Sequence, residues 1–425
     1  MREQIITNSQ VGEQYYKIEH DSGLTLLLYP MKGYNSSYAL FGTKYGSVDN
    51  CFKRAGEKEF TTVPEGIAHF LEHKLFESED KDAFARYAET GASANAYTSF
   101  DKTCYLFSCT DNFKESLEIL LDFVTSPYFT EQTVQKEQGI IGQEIKMYDD
   151  DPNWQVYFNL LKGLYQRHPL RIDIAGTVES IAKITADNLY ECYHTFYNLH
   201  NMALAIAGNF TVEEVLEFAD RILKKAEDIE VVRAPSEEPE EICTAETVIT
   251  LPVAQPLFQV GFKEKVPVKQ QLARDYVLHS ILLECIAGES SPLYRELYDA
   301  GLINSSFGTE IMLGSDYMCT IFAGEGKDPK LVRDKLADKI CEYRERRIET
   351  TVFEQQRKAL YGRFVRGHGS VENVASSLLD SHFLGLGEFE VLDACAAVTC
   401  EEANEYLQTV MQKDKMALSV VCPQQ

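Results

Sequence analysis

No stretch of this sequence is rich in Lys or Arg, and no Cys-x-x-Cys pair occurs in it. Basic residues number 41 against 66 acidic ones, a formal net charge of −25. Recognising phosphate takes a basic patch, so this balance argues against a nucleic-acid binder. Long apolar runs are also missing. Stretches such as Met202–Gly208 fall far short of the roughly 18 residues that mark a membrane-spanning helix. The N-terminus, beginning Met1-Arg2-Glu3-Gln4, has no basic start followed by an apolar run, so no secretory signal is expected. The 11 cysteines are scattered, and near pairs such as Cys104/Cys109 and Cys395/Cys400 are poorly spaced for a thiolate zinc site. They read as small buried apolar residues in a reducing, cytoplasmic compartment.

What remains is ordinary globular composition: 425 residues, 44% apolar and 25% charged. At roughly 100–200 residues per domain this is two to four domains. One composition break stands out. Glu227–Glu246 holds eight acids, Arg233 as its one base, and two prolines, Pro235 and Pro239. Such a segment cannot bury apolar surface and resists helix or central strand, so it reads as a solvated linker. The expected domains are therefore 1–228 and 246–425, joined by 229–245.

Element signals run in the same order on both sides of the linker. In the first half, strands at Leu24–Tyr29 and Ser37–Tyr45 precede a helix over Pro64–Glu77, which would carry Pro in its first turn. A helix at Lys81–Glu89 stops at Gly91. Strands Ser93–Phe100 and Thr103–Cys109 follow, then helices Asn112–Val124, Glu131–Tyr148 and Ala186–Tyr197, strand Met202–Ala207 and helix Val212–Lys225. In the second half, strands Glu246–Leu251 and Leu257–Phe262 precede helix Gln271–Cys285, and strands Ile303–Ile311 and Tyr317–Phe322 precede further helices and a last strand, Met416–Val421. The pattern predicts an α+β protein of two homologous α/β-sandwich domains.

The strongest chemical signal lies in the first helix, Gly66-Ile67-Ala68-His69-Phe70-Leu71-Glu72-His73. One turn apart on a helix, His69 and His73 project to the same side and can grip one ion. Glu72 sits beside them, able to reach a metal-bound water without ligating. This His-x-x-Glu-His order is the inverted form of the common zinc-peptidase helix. The same pattern also fits a helix with two surface histidines and a solvated acid. A catalytic zinc needs a third protein ligand and an open fourth position. The helix Glu131–Tyr148 offers Glu137 and Glu144, two turns apart on one face, close to an apolar surface marked by Ile140, Ile141 and Ile145.

Together, Glu65–Glu77 around that helix, Gly91-Ala92-Ser93-Ala94-Asn95-Ala96-Tyr97-Thr98-Ser99, and Glu137 followed by Glu144 resemble the pitrilysin/insulinase family of zinc peptidases. The chain is most similar to the short bacterial branch related to mitochondrial processing peptidase. The resemblance implies one zinc per chain held by His69, His73 and Glu144, with Glu72 as catalytic base and Glu137 supporting the site from behind the ligands. It implies that peptide substrate lies along an edge strand at Asn95 and Ala96. It also implies half of a clamshell chamber that is completed by a second chain.

In single-chain members of that family the second domain supplies an Arg and a Tyr that clamp the substrate, in the pattern Arg-x-x-x-Gly-x-x-Tyr. With Gly301 aligned, Leu297 and Asn304 stand at those positions here, while Arg295 and Tyr298 are out of register. The expected assembly is a heterodimer with a homologous chain that carries the clamp, a homodimer being the runner-up. The alternative function is a non-catalytic assembly or partner subunit of a processing peptidase. His368, between Gly367 and Gly369, reads as part of a helix break. His168, His194, His200, His279 and His382 read as structural.

Overall fold

The computed structural model describes residues 1–424. Strands β1 (Arg2–Asn8), β2 (Glu13–Glu19), β3 (Thr25–Pro30), β4 (Ser37–Thr43), β5 (Cys51–Arg54) and β6 (Thr61–Thr62) lead into helices α1 (Ile67–Leu75) and α2 (Ala83–Thr90). Strands β7 (Ser93–Thr98) and β8 (Thr103–Cys109) precede helices α3 (Phe113–Thr125), α4 (Glu131–Asp149), α5 (Pro152–Leu164), α6 (Val178–Ile181) and α7 (Ala186–Phe196). Next come β9 (Met202–Gly208), α8 (Val212–Ile222) and β10 (Val231–Arg233). The second half runs β11 (Glu246–Leu251), β12 (Leu257–Glu264), α9 (Leu272–Ala287), α10 (Pro292–Asp299), β13 (Gly308–Leu313) and β14 (Met318–Glu325). It ends with α11 (Pro329–Arg346), α12 (Thr350–Gly367), α13 (Val371–Leu384), α14 (Glu390–Ala397), α15 (Cys400–Leu407) and β15 (Met416–Pro423).

Local chemistry sets many of these boundaries. Thr185, Thr211 and Thr399 each close a capping box at the start of α7, α8 and α15, satisfying N–H groups that a helix leaves unpaired. Gly91 stops α2 in a left-handed conformation, φ 75°, which costs glycine little. Strand β9, Met202-Ala203-Leu204-Ala205-Ile206-Ala207-Gly208, is buried along its whole length and sits inside its sheet rather than at an edge.

The chain forms two compact units. The first comprises Met1–Ile145, Ile172–Pro235 and Arg366–Phe383. Its main sheet has the order β1-β2-β3-β9-β4-β8-β7, so β7 is an edge strand. The second comprises Lys146–Arg171, Ser236–Val365 and the chain from Leu384 onward, around a sheet ordered β11-β15-β12-β14-β13. Both sheets follow one plan. In β3-β9-β4-β8-β7 and in β11-β15-β12-β14-β13 the first strand pairs in parallel with the last, and the second, fourth and third follow. The α+β class and the repeated order of elements match the expectation from sequence.

Each unit also includes a helix from the opposite half of the sequence. Helix α5, from the first half, lies on β15, β12 and β11, and a Cβ at Gly261 of β12 would come within 2.8 Å of its Leu160. Helix α13, from the second half, belongs to the first unit. A Cβ at Gly42 of β4 would meet its Leu379 at 2.7 Å, and its Asp380 pairs with Lys102 in the β7–β8 turn.

Three local expectations need correction. The first helix starts at Ile67, not Pro64, because Gly66 takes a left-handed φ of 86° that interrupts helical hydrogen bonding. The stretch read as a solvated linker contributes a strand: β10 pairs antiparallel with β5, and Arg233 bonds Asp49 and the Lys44 carbonyl. Ile140 is 48% exposed, whereas Ile141 and Ile145 are buried with Val134 on α4. The Gly367–Gly369 break is present, falling between the end of α12 and the start of α13.

Candidate metal centre

Helix α1 is fixed before any metal is considered. Ile67, Ala68, Phe70, Leu71 and Leu75 are all buried, so one face is anchored in the core of the first unit. Its start is fixed by Gly66, where a Cβ would lie 2.3 Å from the Ala175 carbonyl oxygen. Ser180 Oγ, on α6 just after that loop, donates to the carbonyl of Glu65, the residue before the glycine, at 2.8 Å. Only glycine fits this approach and this backbone angle together.

From this helix His69 and His73 project side by side, their rings 4.6 Å apart. Helix α4 brings Glu144 opposite them. His69 Nε2 lies 3.8 Å from Glu144 Oε1, and His73 Nε2 lies 3.6 Å from Glu144 Oε2. These separations are too long for hydrogen bonds. They are close to the roughly 3.4 Å between ligand atoms that bonds of about 2.0–2.2 Å give around a tetrahedral ion. One ligand atom from each residue falls within 4.8 Å of the others, the one such group of three among the described residues. Two imidazoles and a carboxylate are a donor set that suits zinc, and they leave a fourth position for water. The residues fit the ion.

Two further carboxylates flank the trio. Glu137, buried on α4, stands 3.0 Å from His73 Nδ1, which directs Nε2 of that ring toward Glu144. Glu72, 8% exposed, accepts a 2.5 Å hydrogen bond from Thr98 Oγ1 at the end of β7. Burial lowers the His69 pKa to about 4, with the neighbouring His73 adding to the effect, so this imidazole is neutral at pH 7. Burial likewise dominates at Glu72 and raises its pKa, against the Thr98 bond and the charge of His73. At His73 burial opposes protonation, but the Glu137 bond and the surrounding carboxylates outweigh it and the pKa is raised. Glu137 shows the reverse: burial pulls upward, and His73 with Lys74 and Lys136 pulls it below the usual range.

The sequence-derived candidates thus come together in part. His69, Glu72, His73, Glu137 and Glu144 cluster within the first unit. Asn95 and Ala96 lie on β7, opposite Leu106 and Tyr105 of β8, on the strand whose other edge has no partner among the described residues. The exposed Asn95 uses its Oδ1 locally, accepting from the Ala96 N–H at 2.9 Å. Sequence reasoning missed Thr98 and Lys74. Strand alternation already put Thr98 on the same face as Ala96 and Ala94. Lys74, fully buried next to His73 and paired with Glu77, gave no signal beyond an apolar helix face.

In the second unit Leu297 is a core residue, and Asn304 Nδ2 donates to Glu325 Oε2 at 3.1 Å. The Arg295 side chain is 82% exposed beside Asp299, while Tyr298 stacks on Tyr294. Neither clamp position holds Arg or Tyr. His279 is fully buried and bonded to Thr320 at 2.6 Å, and His168 Nδ1 accepts from the Leu170 N–H at 3.0 Å.

Comparison with known proteins agrees with this geometry. The family described as "Insulinase (Peptidase family M16)" matches residues 55–178, which include all five clustered side chains. The "Peptidase M16 inactive domain" matches residues 183–360, which include none of them. The chain is 40% identical over 98% of its length, and 99% of the relative's, to the "Uncharacterized zinc protease YmfH" of Bacillus subtilis. A putative M16-like peptidase from Alicyclobacillus acidocaldarius has the same fold, with a TM-score of 0.92 at 36% identity, covering 96% of this chain and 98% of that one. Pitrilysin matches in fold alone, with a TM-score of 0.76 at 17% identity over 99% of this chain but 46% of its own. With its inverted histidine helix and its carboxylate three helices downstream, the chain belongs to the insulinase family, peptidase family M16.

Proposed function

We propose that this chain is the zinc-bearing half of a metalloendopeptidase that hydrolyses peptides or unfolded protein segments. The observation that carries this reading is the convergence of His69, His73 and Glu144 on one point, with Glu72 held beside it. One zinc bound there would lower the pKa of its water toward about 7 and polarise the scissile carbonyl. The chain's own residues supply the rest. Glu72 takes a proton from the attacking water and returns it to the leaving amine, a task its burial favours by raising its proton affinity. Glu137 fixes the orientation of the His73 ring. The open edge of β7 at Asn95 and Ala96 receives the substrate as an added strand, with backbone hydrogen bonds giving affinity without sequence demands.

A homologous chain completes the chamber and brings the missing Arg and Tyr, a reading supported by Leu297 and Asn304 at the clamp positions and by the half-length match to pitrilysin. A reducing, cytoplasmic location is supported by 11 cysteines that are all free thiols. No described helix is long and apolar enough to cross a membrane.

The test separates binding of the metal from turnover. His69→Ala and Glu144→Gln are expected to lose most of about one zinc per chain. Glu72→Gln is expected to keep the zinc and lose roughly 10²–10⁴-fold in cleavage of a quenched peptide library. Full activity in Glu72→Gln, or in the presence of a chelator that strips the metal, would overturn the mechanism.

A further inference from the structure

Thr98 connects two parts of the proposed machinery, since it ends the edge strand β7 and its hydroxyl reaches the general base. Along β7 the side chains alternate, so Ala94, Ala96 and Thr98 share one face. The bond from Thr98 Oγ1 to Glu72 Oε2, at 2.5 Å, is at the short end for a hydroxyl on a carboxylate. It is the hydrogen bond from a side chain that holds Glu72 among the described residues. The threonine is itself held in place. Thr103, fully buried on β8, stands directly across from it in the antiparallel register. Its Oγ1 lies 3.4 Å from Thr98 Oγ1 while donating to the Tyr45 carbonyl at 2.9 Å. Ser99 and Lys102 then close the turn, Ser99 N–H donating to the Lys102 carbonyl at 2.8 Å.

We infer that Thr98 is a positioning residue that fixes the Glu72 carboxylate and ties its aim to the strand on which substrate lies. This inference rests on the peptidase reading above. A carboxylate that takes a proton from water and delivers it to a leaving amine must face two atoms in succession, so a free rotor would spend much of its time misdirected. A hydroxyl donor anchors one oxygen, Oε2, and leaves Oε1 for the proton. Because the donor sits on β7, a peptide that adds to that strand also holds the donor. Bound substrate and aimed base then form together. A β-branched residue suits the position twice over, having strand propensity and a stiff χ1 that fixes where the hydroxyl points.

The experiment compares Thr98→Val, which keeps the shape and removes the hydroxyl, with Thr98→Ser, which keeps the hydroxyl, both in zinc-loaded full-length protein. The probe is one quenched peptide that the unaltered chain cleaves. Thr98→Val should lower kcat by about 10- to 100-fold, the range typical for loss of a partner behind a reacting group, with KM and zinc content unchanged. Thr98→Ser should restore most of the loss. In the Glu72→Gln background the Val change should have no effect on affinity for the same peptide, labelled and uncleaved, by fluorescence anisotropy. A crystal structure of Thr98→Val should show the Glu72 carboxylate in more than one rotamer. An unchanged kcat, or a single unmoved Glu72 rotamer in Thr98→Val, overturns the inference. If the unaltered chain cleaves nothing, alone or mixed with a clamp-bearing homologue, while Glu72 still loses its order in Thr98→Val, the positioning role stands and the peptidase reading fails.

Discussion

Glu137 Oε1 stands 3.0 Å from Nδ1 of His73, so a side chain outside the His69/His73/Glu144 group decides which nitrogen of that ring faces Glu144. Sharing the proton of Nδ1 makes Nε2 a better donor and locks the ring. Glu137→Gln keeps the shape and removes the charge. We expect zinc affinity to fall about 10- to 100-fold, measured by competition with a chromophoric chelator, with the circular dichroism of the protein unchanged. Unaltered affinity would show that the ring is held by packing alone.

Gly66 should tolerate no side chain. Its φ of 86° and the 2.3 Å approach of a built Cβ to the Ala175 carbonyl both weigh against Gly66→Ala. The expected loss is roughly 1–3 kcal/mol of unfolding free energy, together with reduced zinc content as α1 shifts. Gly139, exposed on α4 with open space around it, is the control. Gly139→Ala should stabilise by up to about 1 kcal/mol. Equal effects of the two substitutions in a denaturant titration would refute this account of the helix start.

A pH dependence is built into the second unit. Burial pushes the Glu264 carboxyl up to about 8, against hydrogen bonds from the Met411 N–H and Thr320 and the charge of Arg344. Unfolded, the group titrates near 4.5. Between these values the folded state holds the proton more tightly than the unfolded chain, so the contribution of Glu264 to stability is full below about 4.5 and is lost as pH rises toward 8. The contribution is on the order of a few kcal/mol. Urea titrations across this window should show a slope that Glu264→Gln flattens. An identical slope in the variant would assign the pH dependence elsewhere.

The partner reading gives its own expectation. Purified alone, the chain should cleave peptides weakly, because the base and ligands are present but the peptide backbone is poorly held. Adding a homologous chain that carries Arg and Tyr at the clamp positions should raise kcat/KM, since positioning can supply several kcal/mol of barrier reduction. Strong activity of the isolated chain, unchanged by the homologue, would rule out this division of labour.

Much of this architecture could be read without coordinates, and the exceptions share a cause. Strands β3, β4 and β8 show β-rich apolar runs, and α2 ends at a glycine, so local pattern sufficed. The His69/His73 spacing and the Glu137/Glu144 spacing each lie on one helix face, which makes them legible as pairs. What joins the two pairs is tertiary packing, which spacing does not encode. Helix α5 went unread although Asp151 caps it and Pro152 occupies its first turn. Its apolar residues Val156, Leu160 and Leu161 pack on strands lying far downstream in sequence. Thr98 was visible only as one β-branched residue among others. Its partner Glu72 is 26 positions earlier on another element.

The crossing of α5 and α13 sets an order of events in the life of the chain. As synthesis proceeds, the histidine helix, both its carboxylates and all seven strands of its sheet emerge long before Arg366–Phe383. Until that late segment appears, Gly42 faces no Leu379 and Lys102 has no Asp380. A nascent or truncated chain therefore carries His69, His73 and Glu144 in an incomplete fold. Folding of the first unit is completed only once Arg366–Phe383 has been made, after every strand of its sheet and the histidine helix have already emerged.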